Sequence, residues 1–369
     1  MIDGEKAARA ARAQTLGFGR MLSLDPEELQ GLLLSLPAER TPFIWGPPGI
    51  GKSAIVRDAA KALGLPCVTL LGTQIAPEDL IGVPRIRVLE GGGAATEFCP
   101  PRAILRTEPY LLFIDELNSA IADVQKAFYS LILDRRLGDY ELPAGSRVVG
   151  AGNRIEDRAL VRPMATALSN RMIHVALETS AEAWLLWASR AGVHPLVVSF
   201  VRARPDRLVE SPPTDASPAY PTPRAWHMLS DAIKTVRSSL WPAVAAGSVG
   251  DRAGAEWSAF AKRAEDAPSL EDLASGRAAA PRDPELLYFL GASAITRLGA
   301  GGEESGTLAA KAVAALAGVS REVAVWCVDA ALATGAHDPA HVAFEAHLRS
   351  EGASVLVDVL RLGRFAREG

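Results

Sequence analysis

The sequence predicts an α/β domain, a mainly parallel sheet with helices on both faces, followed by an all-α lid and a helical C-terminal extension. Three observations predict it. Short apolar runs (PFIW, CVTLL, LLFID, RVVGAG and MIHVAL) alternate with helix-like stretches between Thr41 and Leu177, the rhythm of βα units covered on both faces. The first run opens into GPPGIGKS at Gly46–Ser53, and the third ends in Asp115-Glu116. Beyond Leu177 the β-type runs fade and the chain becomes helical and rich in alanine.

In chain order, Ile2–Ala13 and Pro26–Leu36 read as helices, the second opened by Asp25 as N-cap, and form a helical lead over residues 1–38. The α/β core spans 39–177. Within it RIRVLE, GGG and AATEF read as strand, glycine turn and strand, a β-hairpin insert at about 85–98. The residues alone leave open whether this hairpin is functional or a surface elaboration. A helical lid covers 178–298, with Pro205–Pro223 as a connection and a flexible insertion expected within Ala243–Pro281. Gly299–Gly306 also reads as a flexible linker and opens the C-terminal extension, 299–369.

Composition narrows the function classes. With 39 Lys plus Arg against 43 Asp plus Glu, the net charge of -4 provides no bulk attraction to nucleic acid or anionic lipid. Cys67, Cys99 and Cys327 are odd in number and far apart, fitting neither a disulfide framework nor a zinc cluster. The first twenty residues are charged and lack the apolar stretch of a signal peptide, which gives the expectation of a cytoplasmic protein. Leu308–Thr334 is apolar but interrupted by Lys311, Arg321, Glu322 and Asp329, so it predicts buried helices and no membrane span.

GPPGIGKS satisfies G-x-x-x-x-G-K-[ST] between an apolar strand and a helix, which is the context of a phosphate-binding loop. Gly46, Pro47, Pro48, Gly49, Ile50 and Gly51 form the cradle, in which Gly46, Gly49 and Gly51 let backbone N–H groups turn inward because they have no Cβ to obstruct it. Lys52 is expected to reach the β- and γ-phosphates of ATP, and Ser53 to bind Mg²⁺. Asp115, at the end of the third run, is the second Mg²⁺ residue, since a hard cation takes oxygen ligands. Glu116 is the general base for the attacking water. A carboxylate pair can instead cap a helix, but together with the loop the catalytic assignment prevails. Asn153, after the fourth run, can donate to a phosphate and accept from water at once. His337, His341 and His347 lack metal-site spacing, and Trp45 reads as a strand core residue.

These motifs resemble the AAA+ superfamily and, within it, the MoxR-like branch of the helix-2 insert clade: GPPGIGKS, LLFIDELN, VVGAGN, ALSNRM and PTPRAW, over about Thr41–Ala232. The resemblance implies a P-loop NTPase fold with an AAA+ core. It implies that Asn153 is sensor 1, Arg171 the arginine finger completing a neighbour's site, and Arg224 sensor 2 on the lid. Arg154 and Arg162 lie close enough to Arg171 to compete for the finger role. The resemblance further implies a homo-oligomeric, hexameric ring, a hairpin facing the pore or a substrate, and a chaperone-like action on a protein client. A partner with a von Willebrand factor A domain is also implied. Two other classes share the cradle: a small-molecule phosphotransferase, and an ATP-gated scaffold with little turnover. Glu116, Asn153 and Arg224 together favour a water nucleophile.

Overall fold

The computed structural model describes residues 21, 23–89, 91–154, 164–211, 219–333 and 338–350. The chain divides into two compact units, 1–180 and 181–369. The expected helix at Ile2–Ala13, together with Arg162 and His337, lies outside the described residues.

The first unit contains β1 (Ser23–Leu24), α1 (Pro26–Ser35), β2 (Thr41–Trp45), α2 (Lys52–Ala62), β3 (Cys67–Leu71), α3 (Pro77–Ile81), β4 (Val83–Val88) and β5 (Ala94–Cys99). It continues with β6 (Leu111–Asp115), α4 (Ala122–Leu133), β7 (Arg136–Leu137), β8 (Tyr140–Glu141), β9 (Arg147–Gly152), α5 (Thr166–Ser169) and β10 (Met172–Leu177). Asp25 caps α1 as expected: its carboxylate accepts from the backbone of Glu27 and Glu28, and Glu28 returns the bond to the Asp25 N–H.

Six strands form one sheet in the order β1-β10-β2-β9-β6-β3, and every pairing is parallel. All five expected strands are present. The period-2 geometry of strands sorts their side chains onto two faces. Phe43, Leu112, Ile114 and Val148 pack with Val124 and Phe128 of α4. Ile44, Leu111, Phe113 and Val149 pack with Leu29 and Leu33 of α1 and Val56 and Ala59 of α2. Helices therefore cover both faces, and continuous apolar runs such as LLFI are buried on each side. Because the strands are parallel, their carboxyl ends lie along one edge, where ligands of such sheets bind.

The second unit is helical: α6 (Ala181–Arg190), α7 (Pro195–Ala203), α8 (Pro223–Ile233), α9 (Trp241–Val249), α10 (Asp251–Ala264), α11 (Leu270–Ala274), α12 (Pro284–Leu298), α13 (Glu303–Ala317), α14 (Arg321–Ala333) and α15 (Pro339–Ser350). The flexible insertion expected in Ala243–Pro281 is corrected here. Most of that stretch is helix, and Trp257 and Phe260 are fully buried in the core with Phe200 and Trp226. The alanines and glycines that suggested flexibility serve close packing instead: a Cβ at Gly254 would lie 2.6 Å from the Ala246 backbone N, so α9 and α10 approach closely only because Gly254 has none. The linker expected at Gly299–Gly306 likewise shortens to 299–302, since α13 begins at Glu303 and shares a core with α12. Among the described residues no helix is long and apolar enough to cross a membrane.

Candidate nucleotide site

The loop Gly46–Gly51 leaves β2 and turns into α2. Gly49 and Gly51 adopt positive φ, 81° and 103°, conformations that strain any residue with a Cβ. Gly51 is the N-cap of α2, so the helix directs its positive end at the concavity of the loop. Lys52 is buried, and its ammonium donates to Gly46 O (2.6 Å), Pro47 O (3.0 Å) and Asn153 Oδ1 (2.9 Å). An ammonium carries three donors, so engaging a phosphate means exchanging at least one of these acceptors for a phosphate oxygen.

The parallel register brings the other groups to the same edge. Asp115 ends β6, and its Oδ2 accepts from the Ser53 hydroxyl at 2.8 Å. This hydroxyl and carboxylate form an oxygen donor set of the hard type that suits Mg²⁺, so the residues fit the cation. Glu116 follows in the left-handed region, at φ 53° and ψ 32°, a conformation uncommon for a residue with a side chain. Its N–H donates to Asp115 Oδ1 at 3.0 Å, and its Oε2 accepts from the Thr73 hydroxyl at 2.9 Å. Asn153 follows β9 and is buried, with its carbonyl accepting from Asn118 Nδ2 at 2.8 Å.

Two hydrogen-bonded groups, Lys52 with Asn153 and Ser53 with Asp115 and Glu116, thus meet at adjacent residues of the loop and helix start, although their members come from distant parts of the sequence. Two members were missed in the sequence. Thr73, just beyond β3, meets Glu116 only through strand order, and no motif marks it. Asn118 stands in LLFIDELN but reads there as an ordinary turn residue.

The two arginines make other contacts. Arg171 is exposed on the first unit between α5 and β10; its guanidinium donates to Ala167 O at 2.7 Å and lies 4.7 Å from the ring centroid of Tyr129. Arg224 belongs to the second unit, exposed in the first turn of α8, which Thr222 caps by accepting from Ala225 N at 3.1 Å. Trp45, as expected, is a strand residue: its indole N–H donates to His174 Nδ1 at 2.9 Å. His341 pairs with Asp338 at 2.9 Å in the first turn of α15.

β4 and β5 form the hairpin, paired antiparallel from Val83↔Cys99 to Val88↔Ala94, slightly longer than expected. Gly91 and Gly92 take positive φ at its tip. Its base is tied to the β7–β8 turn, where Phe98 N donates to Asp139 Oδ2 at 2.9 Å. Val83, Ile86 and Val88 are 71%, 75% and 75% exposed.

The sheet order, the glycine loop and the Ser53–Asp115 pair define a P-loop nucleotide-binding domain. Residues 42–175 match the family model described as AAA domain (dynein-related subfamily). The chain is 28% identical over 173 residues to the ATP-dependent zinc metalloprotease FtsH of Lachnoclostridium phytofermentans. That match covers 43% of this chain and 28% of FtsH, so the chain spans little more than a quarter of this relative. Among solved structures, a candidate ATPase from Cytophaga hutchinsonii aligns at TM-score 0.34 and 20% identity, over 44% of this chain and 49% of that one. The Thermotoga maritima RuvB Holliday junction branch migration motor aligns at TM-score 0.36 and 16% identity, over 82% and 86%. Scores of this size describe remote likeness and carry no functional weight.

Proposed function

We propose that the chain is an ATP-hydrolysing remodelling ATPase of the MoxR-like branch, acting on a protein client as a homo-oligomeric, hexameric ring. The hydrolytic part is carried by the pairs Ser53–Asp115 and Lys52–Asn153 at adjacent positions 52 and 53, with Glu116 held by Thr73. Mg²⁺, when bound, supplies positive charge on the phosphate oxygens, and Ser53 and Asp115 are the residues that hold it. Lys52 exchanges its loop carbonyls for phosphate oxygens. Glu116 takes a proton from water as that water attacks the terminal phosphorus; the bond to the leaving oxygen breaks, yielding ADP and phosphate. Asn153 orients the water against the phosphate, Arg224 contacts the same subunit's nucleotide, and Arg171 completes the neighbour's.

The exposed apolar strands of the hairpin supply a contact surface for the client, which supports remodelling over the transfer of a phosphoryl group to a small molecule. The von Willebrand factor A partner rests on the family resemblance alone. Two variants test the chemistry. Lys52→Ala abolishes ATP binding, whereas Glu116→Gln binds ATP and turns it over on the order of 10²-fold more slowly. Nucleotide affinity and phosphate release, measured separately, check both; rapid hydrolysis by Glu116→Gln removes that residue from the mechanism.

A further inference from the structure

The turn that carries Glu116 continues into Asn118, a fully buried side chain. Its Nδ2 donates to the carbonyl of Asn153 at 2.8 Å, while its Oδ1 has no hydrogen-bond partner among the described residues. Burying an amide with half its capacity unmet costs free energy that an apolar side chain would not incur. The polar choice at this position is therefore accounted for by the one bond that it makes.

Space for it comes from the neighbouring strand. A Cβ at Gly152 would lie 2.1 Å from Asn118 Oδ1, so the amide fits only because a glycine precedes Asn153. Fixing the Asn153 carbonyl fixes its peptide plane and hence the direction of its side chain, whose Oδ1 accepts from Lys52 Nζ at 2.9 Å. A continuous path then runs from the Glu116 turn through Asn118 and Asn153 to the phosphate-loop lysine.

We infer that Asn118 is a positioning residue, which locks Asn153 in register with Glu116 so that the group sensing the phosphate and the group activating water move together. This rests on the hydrolytic reading of Asn153 given above. Asn118 is fully buried and acts through Asn153.

The test is a double-mutant cycle on the ATPase activity of the full chain. Asn118→Ala lowers kcat about 10-fold and leaves KM for ATP within about threefold, as expected for the loss of one hydrogen bond that orients a catalytic group. In an Asn153→Ala background the same substitution causes no further fall in kcat. If Asn118→Ala does not fold, as judged by circular dichroism, Asn118→Ser replaces it in the cycle, because its hydroxyl leaves a smaller void. Equal falls in both backgrounds overturn the inference, since Asn118 would then act on stability alone. A normal kcat for Asn153→Ala overturns instead the hydrolytic reading of Asn153, and the role of Asn118 falls with it.

Discussion

Two regions of the first unit depart from the usual partition of side chains in opposite directions. At the carboxyl edge of β2, β9 and β6, polar groups are buried: Lys52, Asn118 and Asn153. On the β4–β5 hairpin, apolar groups are exposed: Val83, Ile86 and Val88. Neither arrangement is favoured by folding alone. At the buried edge part of the cost is offset by hydrogen bonds, since Lys52 donates to Gly46 O, Pro47 O and Asn153 Oδ1, and Asn118 Nδ2 donates to the Asn153 carbonyl. On the hairpin these side chains stay exposed, and the strands are held by their own ladder, by the Arg87–Glu97 pair and by the Asp139 anchor at the base. A convergent polar set suits chemistry on a small molecule; a raised apolar ribbon suits contact with a polypeptide.

The largest expected effect concerns the proposed completion of the site by a second subunit. An arginine supplied in trans is worth about 10³ to 10⁵ in rate in other NTPases. Arg171→Ala subunits keep an intact loop and Lys52→Ala subunits keep an intact arginine, so each alone is inactive and their mixture regains partial ATPase activity. Arg224→Ala mixed with Lys52→Ala gains nothing, because both lesions concern a subunit's own nucleotide. If the Arg171→Ala mixture stays silent although mixed rings form, Arg162 becomes the candidate. Arg171 would then keep only local contacts, its hydrogen bond to Ala167 O and a surface cation–π pair with Tyr129 worth about 0.5 to 1 kcal/mol.

The hairpin half of the contrast predicts a smaller, selective defect. Ile86→Ser combined with Val88→Ser leaves basal ATPase activity within about twofold and stability within about 0.5 kcal/mol per site, as for surface changes that touch no core. The same pair removes stimulation of the ATPase by casein, used as a permanently unfolded polypeptide. Stimulation that survives the double substitution would reduce the hairpin to an idle elaboration and dissolve the contrast.

The smallest effect lies in the helical unit, where a third kind of polar arrangement serves stability. Arg207 donates twice to Glu256, at 2.8 and 3.0 Å. These bonds hold the Glu256 carboxyl below the usual glutamate range against the opposing effect of burial, with the charges of Arg207, Arg204 and Arg252 adding to the shift. A depressed folded-state value contributes stability that is complete above the unfolded-state value, about 4.3. It is lost as pH falls through the lower, folded-state value. Wild-type stability therefore drops across that acid window, and Arg207→Ala, followed by thermal melts from pH 3 to pH 7, flattens part of the drop. An unchanged acid profile would show that the pair is neutral.

Much of this protein was legible in its sequence because the signals are local. Five strands announced themselves as apolar runs, Asp25 announced the start of α1, and Gly46–Ser53 and Asp115-Glu116 stood out as motifs of adjacent residues. The misread segments are those where composition and packing disagree. Ala243–Ala264 has the small residues of a linker, yet Gly254 and the buried Trp257 and Phe260 make it part of the helical core. What only the tertiary structure decided is which distant groups meet. Strand order placed β9 between β2 and β6, and that adjacency alone brought the Asn153 carbonyl to Asn118 and the Asn153 side chain to Lys52. The position of β3 at the sheet edge beside β6 did the same for Thr73 and Glu116. The sequence determines the residue types and the strands that carry them. Pairing between strands distant in the chain depends on which buried faces fit together, and no local pattern encodes that choice.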